Sequence, residues 1–248
     1  MENTSFINEF YYQQYQVLTG LPRCPHRPGS EKYTCRIFFD RCCILILMSN
    51  PYTEQLFKAC EQGSTENVEL FIEKGAEVNA ADGNGSTPLM YAAMNGFTDT
   101  ARILIDNGAD CSIKNKQGLT ALTYACWNKH VGVIRLLTSR GVEVNVKDSN
   151  GDTPLMCSCK NGQIEAANLL IGSGADINIA DRQGDTPLTC AIEGKYIGMA
   201  NLLIARGADI TPKNHHGKTA LDIATEKGLA RLVNDLKYRL QELQKKQP

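Results

Sequence analysis

Gly151-Asp152-Thr153-Pro154-Leu155-Met156-Cys157-Ser158-Cys159 is one copy of a unit that recurs along most of the chain. Moving 33 residues back gives Gly118-Leu119-Thr120-Ala121-Leu122, and moving 33 forward gives Gly184-Asp185-Thr186-Pro187-Leu188. The same frame catches Gly85-Ser86-Thr87-Pro88-Leu89 and Gly217-Lys218-Thr219-Ala220-Leu221. A second marker keeps step at Gly75, Gly108, Gly141, Gly174 and Gly207. No insertion breaks the period, so every unit should have one length and one shape.

The unit predicts its own local structure. Thr is a good helix N-cap, and Pro suits the first helical turn. Leu89, Ala92 and Ala93 then give a short helix one apolar face, and small Ala, Ser and Cys residues let such helices approach closely. A second helix carries Ile103-Leu104-Ile105, Leu136-Leu137, Leu169-Leu170-Ile171 and Leu202-Leu203-Ile204. Gly108 and its equivalents end that helix, because glycine takes the left-handed angle needed just past a helix. Asp148 and Asp181 recur in the following turn, where their side chains can bond nearby backbone. One unit buries little alone, so several must stack to share a core.

The spacing, Thr-Pro-Leu, and the later Gly75-Ala76-Glu77-Val78-Asn79, Gly174-Ala175-Asp176-Ile177-Asn178 and Gly207-Ala208-Asp209-Ile210 strongly resemble the ankyrin repeat family. The resemblance covers roughly residues 49–246. It implies an all-α solenoid of about six helix-turn-helix repeats joined by β-hairpin-like connections. The repeats fall at about 49–81, 82–114, 115–147, 148–180, 181–213 and 214–246, with residues 1–48 as a non-repeat N-terminal extension, weakly ordered or packed on the array. The first repeat has Glu54-Gln55 in place of Thr-Pro, as a terminal unit can. The family's frequent His after Thr-Pro-Leu is replaced by Met90, Thr123, Met156, Thr189 and Asp222. Lys129 and Lys195 stand where Gly96 and Gly162 end their first helices.

In this family the hairpin tips and the exposed end of the first helix commonly form a concave partner-binding surface. Carried onto this chain, the resemblance nominates Met94 and Asn95 in the second repeat. In the third it nominates Lys116, Gln117, Leu119, Trp127 and Asn128. In the fourth it nominates Asn150, Asp152, Lys160 and Asn161, and in the fifth Arg182, Gln183 and Asp185. Trp127 is the only tryptophan, a residue type favoured as an interface hot spot, and Leu119 could add an exposed apolar contact. The alternative is that Trp127 packs between repeats or against residues 1–48.

Composition bounds the rest. The 248 residues carry a net charge of −1 from 26 basic and 27 acidic residues, which argues against general nucleic-acid or membrane-surface binding. No apolar window approaches the ~18 residues needed to span a bilayer. Ten cysteines without the basic opening of a secretory signal suggest a reducing compartment. The cytoplasm is expected, with the nucleus also open to a chain of this size. Cys60, Cys126 and Cys159 occupy the place of Ala93 and read as small buried residues.

Residues 1–48 do not fit the repeat. Three prolines between Leu21 and Gly29 mark irregular chain, and Ile37–Met48 is apolar but too short to span a membrane; it could be a strand or a helix lying on the array's open end. Cys24, His26, Cys35, Cys42 and Cys43 have zinc-ligand chemistry but lack paired short-gap knuckles, so no metal is expected. At the other end, Leu229, Val233, Leu236, Leu240 and Leu243 alternate steps of four and three. An end-cap helix is expected there, with a coiled-coil dimer seam as the alternative to a monomer.

The four histidines, His26, His130, His215 and His216, come with neither a nucleophile nor a metal spacing. The expectation is a non-catalytic interaction module or scaffold with a protein partner and no cofactor. Alternatives are a regulatory or adaptor subunit of an enzyme complex, or a host-directed effector. A further expectation is that the natural product begins at Met48, directly before the first repeat. N-terminal mass analysis of the native protein checks it, and intact residues 1–47 would reject it.

Overall fold

A computed structural model describes residues 50–245, and the features read above in residues 1–48 lie outside them. Over the described residues the chain forms twelve α-helices in six pairs, with no strand. The pairs are α1 (Pro51–Gln62) with α2 (Thr65–Glu73), α3 (Pro88–Asn95) with α4 (Thr98–Asp106), and α5 (Ala121–Trp127) with α6 (Val131–Ser139). They continue as α7 (Pro154–Lys160) with α8 (Ile164–Gly172), α9 (Pro187–Glu193) with α10 (Ile197–Ala205), and α11 (Ala220–Glu226) with α12 (Ala230–Lys245).

The first helices start where the threonines dictate. Thr87, Thr120, Thr153, Thr186 and Thr219 each accept a bond at Oγ1 from the backbone N–H three residues on. In three of them the bond is reciprocated: Thr123, Thr189 and Asp222 reach back to the cap's own N–H. These are places where the family often has His, so a capping box closes the turn instead. Met90 and Met156, the other two substitutes, are buried in the core. The first pair opens differently, with Asn50 accepting from Tyr52 N–H.

The second helices have no such side-chain caps. The residue before each one lies over the end of the previous repeat's first helix. Phe97 covers Gly63, His130 covers Gly96 and Tyr196 covers Gly162, so closely that a Cβ on any of those glycines would strike the ring. The two remaining left-handed positions are held by lysines, Lys129 at φ 67° and Lys195 at φ 58°. Opposite them stand Gln163 and Leu229, neither of which carries a ring. A ring therefore occurs only where the facing residue lacks a side chain. Lys129 and Lys195 keep the glycine conformation, and the ring, not the backbone angle, is what changes.

Stacking supplies the core. Each first helix packs on its own second helix and on the first helices of adjacent pairs. Ala92, Ala93, Ala125, Cys126, Ser158 and Cys159 are all buried along this seam, and the small side chains let the backbones approach. Leu104, Leu137, Leu170, Leu203 and Leu236 are fully buried, one in each pair after the first, along the second-helix layer. The last helix follows the end-cap expectation: Leu232 and Leu236 are buried, Leu229, Val233 and Leu240 pack on the core, and Leu243 is exposed.

Three substitutions should change stability in ways this packing sets. Leu170→Ala should cost about 2–5 kcal/mol in urea unfolding, because the cavity is flanked by neighbours on both sides. Gly162→Ala should cost about 2 kcal/mol or more, combining a left-handed alanine with the Tyr196 overlap, whereas Lys129→Gly should stabilise by about 0.5–1 kcal/mol. Equal small effects at 129 and 162 would mean that the ring does not depend on the glycine beneath it.

Candidate functional site

The surface nominated by the resemblance is built from five turns of one design. In each, a side-chain oxygen accepts from the N–H groups two and four residues on: Asp82 from Asn84 and Ser86, Asn115 from Gln117 and Leu119, Asp148 from Asn150 and Asp152. Asp181 and Asn214 do the same in the last two turns. Successive tips are then tied by backbone bonds, from Lys116 N–H to Asn84 O (2.9 Å), Ser149 N–H to Gln117 O (2.8 Å), Arg182 N–H to Asn150 O (3.0 Å) and His215 N–H to Gln183 O (2.8 Å). The tips form one hydrogen-bonded row. Gln117, Asn150, Arg182 and Gln183 project from it exposed, as does Lys116, whose ammonium bonds Gly83 O.

The ends of the first helices supply the other wall. Asn95, Asn128 and Asn161 each donate a side-chain N–H to the carbonyl four residues earlier, at 3.0, 3.1 and 3.0 Å. These amides close their own helix ends, so a partner meets them with one side already committed. Between the two walls, in the second and third repeats, lies a groove of about 310 Å³. Met94, Lys116 and Gln117 line it together with Tyr91 and Tyr124. Each tyrosine hydroxyl is tethered by one bond: Tyr91 donates to Asp82 (2.8 Å), and Tyr124 accepts from Asn115 (3.0 Å). The bond to Asp82, with burial, pushes Tyr91 up to about 12. The ring faces are thus held in place by the turns. Tyr91 and Tyr124 were missed as site residues; the signal was that both occupy one repeat position, a turn before Met94 and Trp127.

Trp127 is 50% exposed. Its indole N–H nevertheless donates to the Cys157 sulfur of the next repeat, so one edge is pinned and the rest faces solvent. Packing between repeats and surface display were posed as alternatives, and this side chain does both.

Two nominated residues are corrected. Leu119 is only 8% exposed and Asp152 only 3%. Both sit at the residue that closes the turn, where the N–H and C=O are bonded back to Asn115 and Asp148. That pairing turns the side chain toward the first helix of its own repeat. Leu119 therefore offers no exposed apolar contact. The Asp152 carboxylate is held by Lys160 Nζ, 2.6 Å from each oxygen. Burial pushes the Asp152 carboxyl up, against the pull of that ammonium. Lys160 is also 3.9 Å from Asp181, so its head group is fixed while its side chain remains 42% exposed. Asp185 is half-buried and accepts from Asn214 at 2.9 Å.

The buried thiols among the described residues offer little nucleophilic chemistry. Burial pushes Cys60, Cys126 and Cys190 up to about 12, and raises Cys157 and Cys159 further. Among the described residues, no group of three or more His, Cys, Asp or Glu is arranged to hold a metal ion, and no helix is long and apolar enough to cross a membrane.

The family model described as Ankyrin repeats (3 copies) matches residues 56–148 and 135–214. A search of curated proteins gave no match. The repeat frame, the paired helices and a family match spanning more than half of the sequence agree, and the chain belongs to the ankyrin repeat family.

Proposed function

We propose that the chain is a non-catalytic module that binds a protein partner across the hairpin tips and the exposed ends of its first helices. The observation that carries this reading is Trp127, half-exposed yet pinned by Cys157, in a row of side chains that differ from repeat to repeat on a scaffold that does not. The groove at Tyr91 and Tyr124 adds a place for a partner side chain, flanked by Met94, Lys116 and Gln117. Lys160, Asn150, Arg182 and Gln183 extend the surface toward the fifth repeat. Bonds within the array already hold the side chains of Tyr91, Tyr124, Lys116, Trp127 and Lys160 and the backbone at Gln117, Asn150, Arg182 and Gln183, which lowers the ordering cost on binding. The net charge of −1 provides no basic field for nucleic acid or membrane surfaces. A cytoplasmic or nuclear partner fits the cysteine content.

Co-purification from native extract with mass spectrometry should identify the partner. Trp127→Ala should then weaken binding to that partner at least about tenfold, equivalent to about 1.4 kcal/mol, with the thermal melt retained. Unchanged affinity in a folded variant would remove Trp127 from the surface. Turnover by the isolated chain would contradict the non-catalytic reading.

A further inference from the structure

One interface between repeats lacks altogether a device that the others make in full or in part. Just past each second helix, two backbone groups point toward the preceding repeat: the carbonyl of the glycine, and the N–H two residues later. In the first repeat Asn50 donates to Gly75 O, and Thr53 Oγ1 accepts from Glu77 N–H (3.1 Å). In the second, the Asn79 carboxamide does both, donating to Gly108 O (2.9 Å) and accepting from Asp110 N–H (2.8 Å). In the fourth, Asn145 does both, with Gly174 O (3.2 Å) and Asp176 N–H (2.8 Å). In the fifth, Asn178 accepts from Asp209 N–H (2.8 Å).

The third repeat breaks the series. Ser112 stands 33 residues from Asn79 and from Asn145, and its hydroxyl bonds its own Asp110 at 2.6 Å. Gly141 O and Glu143 N–H therefore have no bridging side chain among the described residues. A second departure lies beside it. Ala76, Ala109, Ala175 and Ala208 each donate back to the helix they follow, at 2.9–3.0 Å, but the equivalent Val142 N–H makes no such bond among the described residues. Ser112, Gly141 and Glu143 instead line a cavity of about 280 Å³, walled on its apolar side by Leu122, Val142 and Val146.

We propose that this cavity is a binding site for an aliphatic–asparagine unit on a partner protein. The molecule supplies the template: Val78–Asn79, Val144–Asn145 and Ile177–Asn178 each present an aliphatic side chain next to the bridging carboxamide. In the second repeat, facing Gly141 and Glu143 of the third, that pair is replaced by Cys111–Ser112. An incoming carboxamide accepts from Glu143 N–H and donates to Gly141 O, and its aliphatic neighbour covers the Leu122, Val142 and Val146 wall. A carboxylate of the same shape has no hydrogen to give Gly141 O and meets the charges of Asp110 and Glu143, while Arg140, the cation in the lining, is paired with Asp106 at 2.8 Å. The site shares no lining residue with the groove at Tyr91 and Tyr124, so it can be engaged at the same time or alone.

The test is an amide-resolved NMR titration of the full chain with the capped dipeptide Ac-Val-Asn-NHMe. Ac-Val-Asp-NHMe and Ac-Val-Ala-NHMe serve as controls. The Asn peptide should shift the Val142 and Glu143 amides saturably and bind at least about threefold more tightly than either control. Ser112→Asn should supply the bridge from within, abolish those shifts and raise Tm by about 2–4 °C. Binding that is equal for the Ala peptide, binding that survives in Ser112→Asn, or no saturable shift would each overturn the proposal. The dipeptide comparison stands on the native chain, so it decides the matter even if Ser112→Asn disturbs folding.

Discussion

A pair of seven- to nine-residue helices is too short to persist alone in water, and its apolar stripe has nothing of its own to lie against. Leu104, Leu137, Leu170, Leu203 and Leu236 become fully buried because adjacent pairs close over them. Everything else rests on that shared burial. It requires a constant repeat length, since one added residue would rotate a helix face away from its neighbours. It also requires distinct ends. The first pair substitutes Asn50 and Thr53 for the bonds that a preceding repeat would provide, and the last helix covers the stack with Leu232 and Leu236 while presenting charge outward.

Rigidity at the surface descends from the same stacking. The tips are fixed first by their own Asp or Asn side chains and then by backbone bonds from tip to tip. Asn95, Asn128 and Asn161 lock the helix ends opposite. Side chains carried between these walls, such as Met94, Gln117 and Trp127, inherit a defined position without being buried. A fixed scaffold with variable passengers separates stability from recognition, because a change at Gln117 touches the surface and a change at Leu137 touches the core.

The places where the repeat departs from itself are informative because the frame is so regular. Lys129 and Lys195 hold a left-handed angle that glycine holds elsewhere, and the aromatic cover is missing opposite both. Thr123, Thr189 and Asp222 replace a histidine with a reciprocal cap. The lysines are met by a second substitution in the next repeat, and the cap residues by the threonine already facing them. At Ser112 no such compensation reaches Gly141 O and Glu143 N–H, which sets the third repeat apart.

Much of this was legible without coordinates. A 33-residue period, Thr-Pro-Leu and the recurring glycines determine the helix starts, the helix ends and the stacked all-α architecture, because capping, left-handed angles and apolar spacing are local chemistry. Lys116 and Asn150 are exposed at the tip positions that the family resemblance implies, whereas Trp127 was open to either surface display or packing. What only the tertiary structure decided is where side chains turn once neighbours are present. Leu119 and Asp152 share a column with residues at a tip, yet turn closure directs both inward, and Lys160 then neutralises the carboxylate. The rings over Gly63, Gly96 and Gly162, and the bridge that Ser112 cannot make, join residues about 30 or more positions apart. Such pairings have no signature in a single repeat, because their partners meet only when one repeat is laid against the next.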